Sequence, residues 1–369
     1  MTTPILFQPL TIKQVTFPNR IMVSPMGQCS AVDGCATDWH LMHLGTMAIS
    51  GAGAVCIEAA AISPEGRNTP VDLGLWGDRQ AEALKPAIAF CRANSNARLG
   101  IQLWHVGRKG SVRPAWERNT PIPKAEGGWD VYGPSAEPYA ERWTPIAIDH
   151  AYIEKLIADY MAATRRATAL DLDFLEIHAA HGYLLHNFLS PLVNKRSDAY
   201  GGTLQGRMRL VLEVARAVRK AWPQTKPLGI RLSCTDWVAG GWSLDDTIVL
   251  ARELKTIGFD YITASSGGSV PEQDIRIEPG YQVPFAEAVK KQAAITTVAV
   301  GLITEAKQAE RILVDGKADI IALARGMIYN PRWPWHAAIE LGVEPAFPVQ
   351  YERAHPAMRS TDFLKAKRD

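Results

Sequence analysis

The sequence predicts an α/β protein, a (β/α)8 TIM barrel, on three observations. Eight short apolar runs recur along the 369 residues, at 20–26, 54–62, 99–106, 174–178, 228–233, 261–265, 297–301 and 320–325. Each is followed by a stretch with helical spacing of its apolar residues: 39–49, 81–93, 152–170, 205–221, 244–257, 284–292, 305–314 and 331–341. Strand–helix repetition of this kind builds a parallel sheet, and eight such units close it into a barrel. A doubly wound open sheet is the other arrangement of the same units. Against it, no GxGxxG follows the first run and no break in composition divides the chain, so residues 1–369 read as one domain.

Taken in order, the runs carry polar interruptions that matter more than their apolar bodies. In such barrels the carboxyl ends of the strands and the loops after them form the active site. The first run ends in Ser24, Pro25 and Met26, and the second holds one acid, Glu58. In the third, Gln102 interrupts Leu99, Gly100, Ile101 and Leu103. A long insertion follows at about 107–149, rich in Pro, Trp, Glu and Arg; its length marks it as a lid or binding surface, and Trp116, Trp129 and Trp143 are either aromatic lid residues or, the commoner case for single aromatics, packing residues. The fourth run leads straight into His178, His181 and Tyr183. The fifth contains Arg231, and the eighth ends at Arg325. After the last helix comes a Pro-rich extension, 343–369.

Bulk properties exclude several classes. A net charge of +2, with no block of like charges, leaves no footprint for nucleic acid. The amino terminus lacks a cationic head followed by an apolar signal core, and the best apolar stretch, 53–62, is interrupted by Glu58 and too short to span a bilayer. The five cysteines, Cys29, Cys35, Cys56, Cys91 and Cys234, form no CxxC pair, so neither a disulfide framework nor a zinc or iron–sulfur site is expected; a reducing cytoplasm is the expected home.

Residues 176–202, EIHAAHGYLLHNFLSPLVNKRSDAYGG, are the most informative. Alternation on a strand points Glu176 and His178 the same way, and His181 and Tyr183 follow within five residues of His178. Two imidazoles near one point can hold a single oxygen from two sides, and a phenol beside them can deliver a proton. A metal reading of HxxH is weak: zinc hydrolases of the HExxH type place Glu after the first His, where this chain has Ala179.

Arg231 is the most constrained of the interior candidates, because a guanidinium cannot shed its proton and must find an anion or several acceptors. A structural ion pair with Glu176 or Glu58 is one reading; a ligand that becomes negative during turnover is the other. Gln102 offers a donor and an acceptor suited to the pyrimidine edge of a flavin, or is a satisfied core amide. Gly301 and Arg325 follow runs seven and eight, where barrels commonly hold a phosphate.

These residues together resemble the Old Yellow Enzyme family of FMN-dependent ene-reductases, most closely its bacterial thermophilic-like class. The similarity runs from LFQPLTIKQVTFPNRIMVSPM to VQYERAH, with HAAHGYLLHNFLSPLVNKRSDAYGG as its most specific part. The resemblance implies non-covalent FMN across the carboxyl ends of the strands. Ser24, Pro25, Met26 and Gly27 would border the flavin, Ala59 its edge, Gln102 its pyrimidine and Arg231 its N1–C2=O side. Gly301, Ala324 and Arg325 would take the phosphate. His178 and His181 would hydrogen-bond the carbonyl of an activated alkene and Tyr183 would protonate it, with NAD(P)H as co-substrate. Arg353, beside Tyr351, would reach a neighbouring subunit's pocket, so a homodimer or homotetramer is implied.

The chain departs from that class at four places. Gly27 stands where the class carries a potential-tuning thiol, and Cys29 where it carries an aromatic hydroxyl that meets substrate; Cys29 is read as a small pocket liner or a displaced redox thiol. Trp104 replaces a common Ala and shares the strand parity of Gln102, so it is expected among the substrate-binding residues. Ala324 precedes Arg325 where Gly is usual. The expected activity is reduction of C=C bonds conjugated to carbonyl, imide or nitro groups. Desaturation, double-bond isomerisation or nitro reduction at the same site is the alternative, as is a non-catalytic flavoprotein. Arg108, Lys109 and Arg113 are candidates for the nucleotide's 2′-phosphate.

Overall fold

The computed structural model describes residues 3–354, so the end of the extension expected at 343–369 lies outside the described residues. A hairpin opens the chain, β1 (Leu10–Ile12) with β2 (Val15–Phe17). The barrel strands follow as β3 (Ile21–Val23), β4 (Ala54–Ala61) and β5 (Arg98–Trp104), with helices α1 (Asp38–Ala48) and α2 (Asp78–Asn94) between them. Two short strands, β6 (Tyr132–Gly133) and β7 (Ile146–Ala147), belong to the insertion. Then come α3 (His150–Ala169), β8 (Phe174–Ala179), α4 (Leu184–Leu189), α5 (Leu204–Ala221), β9 (Leu228–Ser233) and α6 (Leu244–Ile257). The circuit ends with β10 (Tyr261–Ser265), α7 (Val283–Ala293), β11 (Thr296–Ala299), α8 (Ala306–Val314), β12 (Ile320–Leu323), α9 (Arg325–Tyr329) and α10 (Trp333–Glu340). The barrel is closed, in the order β3-β4-β5-β8-β9-β10-β11-β12 and back to β3, with every pair parallel.

Helix boundaries follow from capping. The insertion ends where the Asp149 side chain accepts the Tyr152 N–H at 2.8 Å and starts α3. Ser243 and Asp246 form a reciprocal capping box for α6, which stops at Gly258 in the left-handed region (φ 105°).

Parity along each strand divides the interior from the helical shell. Leu175 and Ile177 of β8, with Ile230 and Leu232 of β9, join the apolar layer under the helices. The opposite parity fills the barrel. At its amino-terminal end Phe174 and Tyr261 meet Phe17 of the hairpin in a separate apolar cluster with Met22, Val298 and Ile320. Glycine makes room for them: a Cβ on Gly100 would lie 2.3 Å from the Phe174 ring, and one on Gly229 2.1 Å from Tyr261. One step higher on the same strands the interior residues become Gln102, Glu176, Arg231 and Thr263, and one step higher again Trp104, His178, Ser233 and Ser265.

The insertion is tied down by an arginine and by one of its tryptophans. Arg108, buried, donates to the Glu137, Pro138 and Ser269 carbonyls. Trp116 and Trp143 are exposed, and Trp129 stacks on Arg67 and donates to Glu65 O. None of the three lines the central cavity, which favours the packing reading over an aromatic lid. In the extension, Trp335 meets Phe347 and Tyr351, and Arg332 lies over both Trp335 and Tyr351.

Candidate active site

A cavity of about 290 Å³ opens at the carboxyl-terminal mouth, lined by Pro25, Gly27, Cys29, Ala59, Gln102, Trp104, His178, His181, Tyr183, Arg231 and Ala324, among others. A second, of about 320 Å³, shares His181, Arg231 and Ala324 with it and continues past Gly301 to Arg325. Loops after many different strands thus converge on one elongated hollow. Of the residues singled out from the sequence, Ser24, Met26 and Arg353 do not line either part. Ser24 is buried just behind the wall, Met26 packs its side chain against the helical core, and Arg353 is exposed on a turn at Val349–Ala354.

His178, His181 and Tyr183 sit within a ring's width of each other: His178 lies 4.9 Å from His181 and 4.9 Å from Tyr183, centroid to centroid. The Ala180 N–H donates to His178 Nδ1, which leaves the His178 proton on Nε2. That N–H faces His181 Nδ1 at 3.2 Å, so His181 carries its proton on Nε2, 2.7 Å from Ser265 Oγ. Both imidazole pKa values fall well below the ordinary range because burial and the nearby Arg231 cation oppose a second charge. Two neutral N–H donors result. Within the chain the His178 N–H meets His181 and the His181 N–H meets Ser265. Burial pushes the Tyr183 phenol up to about 12, with Asp72 adding to it, so Tyr183 holds its proton.

The turn carrying these groups is strained into place. His181 has φ 60°, with its N–H held by Ser233 Oγ at 2.9 Å and its carbonyl by Lys109 Nζ at 2.8 Å. Gly182 has φ 70°, and a Cβ there would strike Gly268 O at 2.0 Å.

Arg231 makes neither of the ion pairs weighed for it. Glu176 instead accepts from Gln102 Nε2 (2.6 Å) and Thr263 Oγ1, and Glu58 faces His40 Nε2 at 3.2 Å. Arg231 reaches only Ser265 Oγ, at 3.4 Å, and its Nε is buried without a partner. Gln102 is correspondingly half committed: the Glu176 carboxylate, an acceptor, fixes the amide orientation and takes one N–H.

Asp72 had no distinguishing mark in the sequence, and Lys109 was marked only as a candidate for the nucleotide's 2′-phosphate. Asp72 lines the cavity and accepts from the Asn68 and Thr69 backbone and from Thr69 Oγ1; Cys29 Sγ lies 3.6 Å from it. Burial and Asp72 push the Cys29 thiol up to about 12, so the thiol holds its proton. Lys109 donates to the His181 and Gly268 carbonyls and sits over Tyr139 (4.1 Å) and Tyr183 (5.6 Å). With Arg108 bonded to carbonyls and Arg113 paired to Glu117 and Glu126, all three 2′-phosphate candidates have partners within the chain. Among the described residues no group of three or more His, Cys, Asp or Glu side chains is arranged to hold a metal ion, and no helix is long and apolar enough to cross a membrane.

Comparison with known proteins decides what kind of barrel this is. A model of the NADH:flavin oxidoreductase / NADH oxidase family matches residues 5–343. The chain belongs to this family. It is 42% identical over 352 residues to an NADPH dehydrogenase of a Geobacillus species, covering 95% of this chain and 98% of that one. It is also 42% identical over 357 residues to an NADH:flavin oxidoreductase of Gibberella zeae, covering 92% and 86%. Among solved structures, morphinone reductase in complex with tetrahydroNAD superimposes with a TM-score of 0.77 at 28% identity, covering 93% of each chain. The family's enzymes of the Old Yellow Enzyme type are FMN-dependent NAD(P)H oxidoreductases, and this chain is one of them.

Proposed function

We propose that the enzyme reduces C=C bonds activated by a conjugated carbonyl, imide or nitro group, with FMN seated along the elongated hollow. The residues present fit that cofactor. Arg231 Nε and Ser24 Oγ are buried polar atoms without partners in the chain, and both border the strand ends. At the far end Gly301 lines the hollow with φ 116°, a backbone conformation that favours glycine. Pro25, Gly27, Ala59, Gln102 and Arg231 would surround the ring, with Ser24 and Met26 behind it; Gly301, Ala324 and Arg325 would take the phosphate. When bound, FMN carries hydride from the nicotinamide to the alkene. Arg231, a fixed cation with free donors, would hold the charge that reduction places on the ring.

What carries the proposal is the triad of groups over one cavity: two neutral imidazoles and a protonated phenol, beside that arginine. His178 would turn its N–H from His181, and His181 its N–H from Ser265, to the substrate oxygen, and Tyr183 would give its proton to the α-carbon. General acid help of this kind contributes about 10²–10⁴-fold. Arg353, exposed and outside its own cavity, would complete a neighbour's site in a homo-oligomer; a cytoplasmic location accords with five unpaired cysteines.

The test is anaerobic. Purified enzyme should be yellow, bleach with NADPH and recover its colour when cyclohexenone is added. Bleaching without recovery by any enone, imide or nitroalkene would sink the ene-reductase reading.

A further inference from the structure

The catalytic turn rests on a buried histidine–aspartate pair that takes no part in the chemistry above. His186, on α4, and Asp236, in the loop after β9, are both fully buried, with His186 Nε2 3.0 Å from Asp236 Oδ1. On its other side His186 Nδ1 accepts the Gly182 N–H at 2.8 Å. Gly182 is the residue between His181 and Tyr183, so the ring holds the hinge of the turn directly. Asp236 is itself fixed: its Oδ2 accepts from Ser190 Oγ (2.6 Å) and from the Trp242 N–H (2.8 Å). Asn187 Nδ2 holds the Gly182 carbonyl at 2.9 Å, so both ends of the Gly182 residue are pinned from α4.

We infer that the His186–Asp236 pair is a positioning device for the His181–Gly182–Tyr183 turn, acting by fixing which ring nitrogen of His186 accepts. A backbone N–H can bond Nδ1 only if the His186 proton is on Nε2, and a carboxylate opposite Nε2 enforces that tautomer. The inference rests on Tyr183 being the proton donor.

Asp236→Asn tests it, because the surroundings dictate how the amide lies. The Trp242 N–H is a fixed donor, so the amide oxygen must face it and the NH2 must face His186 Nε2. That drives the His186 proton to Nδ1, donor against donor with the Gly182 N–H. The turn then shifts, and a misplacement of about 1 Å costs on the order of 10²-fold. The measurement is a double-mutant cycle on alkene-driven reoxidation of the reduced holoenzyme, with Asp236→Asn, Tyr183→Phe and the pair. The expected result is a loss of about 10²-fold in Asp236→Asn alone, and little further loss when it is added to Tyr183→Phe. Full multiplication of the two losses, or no loss in Asp236→Asn, overturns the positioning role. Should Tyr183→Phe itself have no effect, the proton-donor assignment fails instead, a separate outcome. If Asp236→Asn does not fold, His186→Asn and His186→Ala serve in its place. The Asn amide oxygen can still accept from Gly182, so His186→Asn should retain most of the rate that His186→Ala loses; equal losses would overturn the role.

Discussion

The two ends of the barrel are built by the same strands and do opposite things. At the amino-terminal end, Phe174 of β8 and Tyr261 of β10 fill the interior against Phe17, with Gly100 and Gly229 leaving space for their rings. Two and four residues further along β8 the interior side chains are Glu176 and His178, and on β10 Thr263 and Ser265. Aromatic rings fill the interior of the lower end, whereas the upper end leaves Arg231 Nε, Ser24 Oγ and Trp104 Nε1 buried without partners around a cavity. Close packing stabilises the barrel below so that unsatisfied polar atoms can be held at its mouth above. Substitutions should therefore differ in their main effect: those above chiefly alter rates, those below chiefly alter stability.

The largest effect should come from Tyr183→Phe. Alkene-driven reoxidation should slow by about 10²–10⁴-fold, while reduction by NADPH and the unfolding midpoint stay close to those of the parent. Stopped-flow measurement of the two half-reactions decides it; equal slowing of both breaks the assignment. Phe174→Ala is its counterpart at the closed end. Removing a fully buried ring should lower stability by about 3–5 kcal/mol. Denaturant titration measures the loss, and an unchanged midpoint would show that the plug does not support the barrel.

The closed end was less legible than the mouth. Two three-residue strands leave no alternation long enough to register, so the hairpin that plugs the barrel has no signature of its own. The barrel strands and the helices between them were legible because each has a run or a 3.6-residue period long enough to read. At the mouth, residue type pointed to His178, His181, Tyr183, Gln102 and Arg231, and the structure brings all five to one cavity. Partners were not legible. Whether Arg231 pairs with Glu176 depends on Gln102 and Thr263 reaching that carboxylate first. Asp72 and Lys109 lie in loops whose sequence shows ordinary charged residues, and only the fold turns them inward.

A change confined to the mouth sharpens the comparison. Trp104 stacks on His178 (26° between planes) and meets Tyr183 edge-on at 4.7 Å. Trp104→Ala should enlarge the cavity and favour enones with bulky β-substituents over cyclohexenone by roughly tenfold in kcat/KM, the scale of a small change in pocket shape. An unchanged ratio would mean that the indole does not limit the substrate. Stability should fall too, because Trp104 is only 7% exposed.

Lys109 gives the smallest effect and the finest test, because it joins the insertion to the catalytic turn without touching the cavity. Burial, reinforced by Arg142 and Arg108, lowers its pKa to about 7 from an ordinary 10.5. The groups around it are those two arginines, the Tyr139 and Tyr183 rings and the His181 and Gly268 carbonyls. Between those two pH values the unfolded chain keeps a proton that the folded chain has lost, so stability rises with pH across that window. Below about pH 7 both states are charged and the burden of burying the cation is fully present. Lys109→Met removes the titrating group, so the rise in unfolding midpoint between about pH 7 and about 10.5 should be shallower in the variant than in the parent. Matching slopes would mean that the ammonium is not carried as a buried charge. The turn would then be held by His186 and Asn187 from below, with the lysine serving only to fasten the insertion.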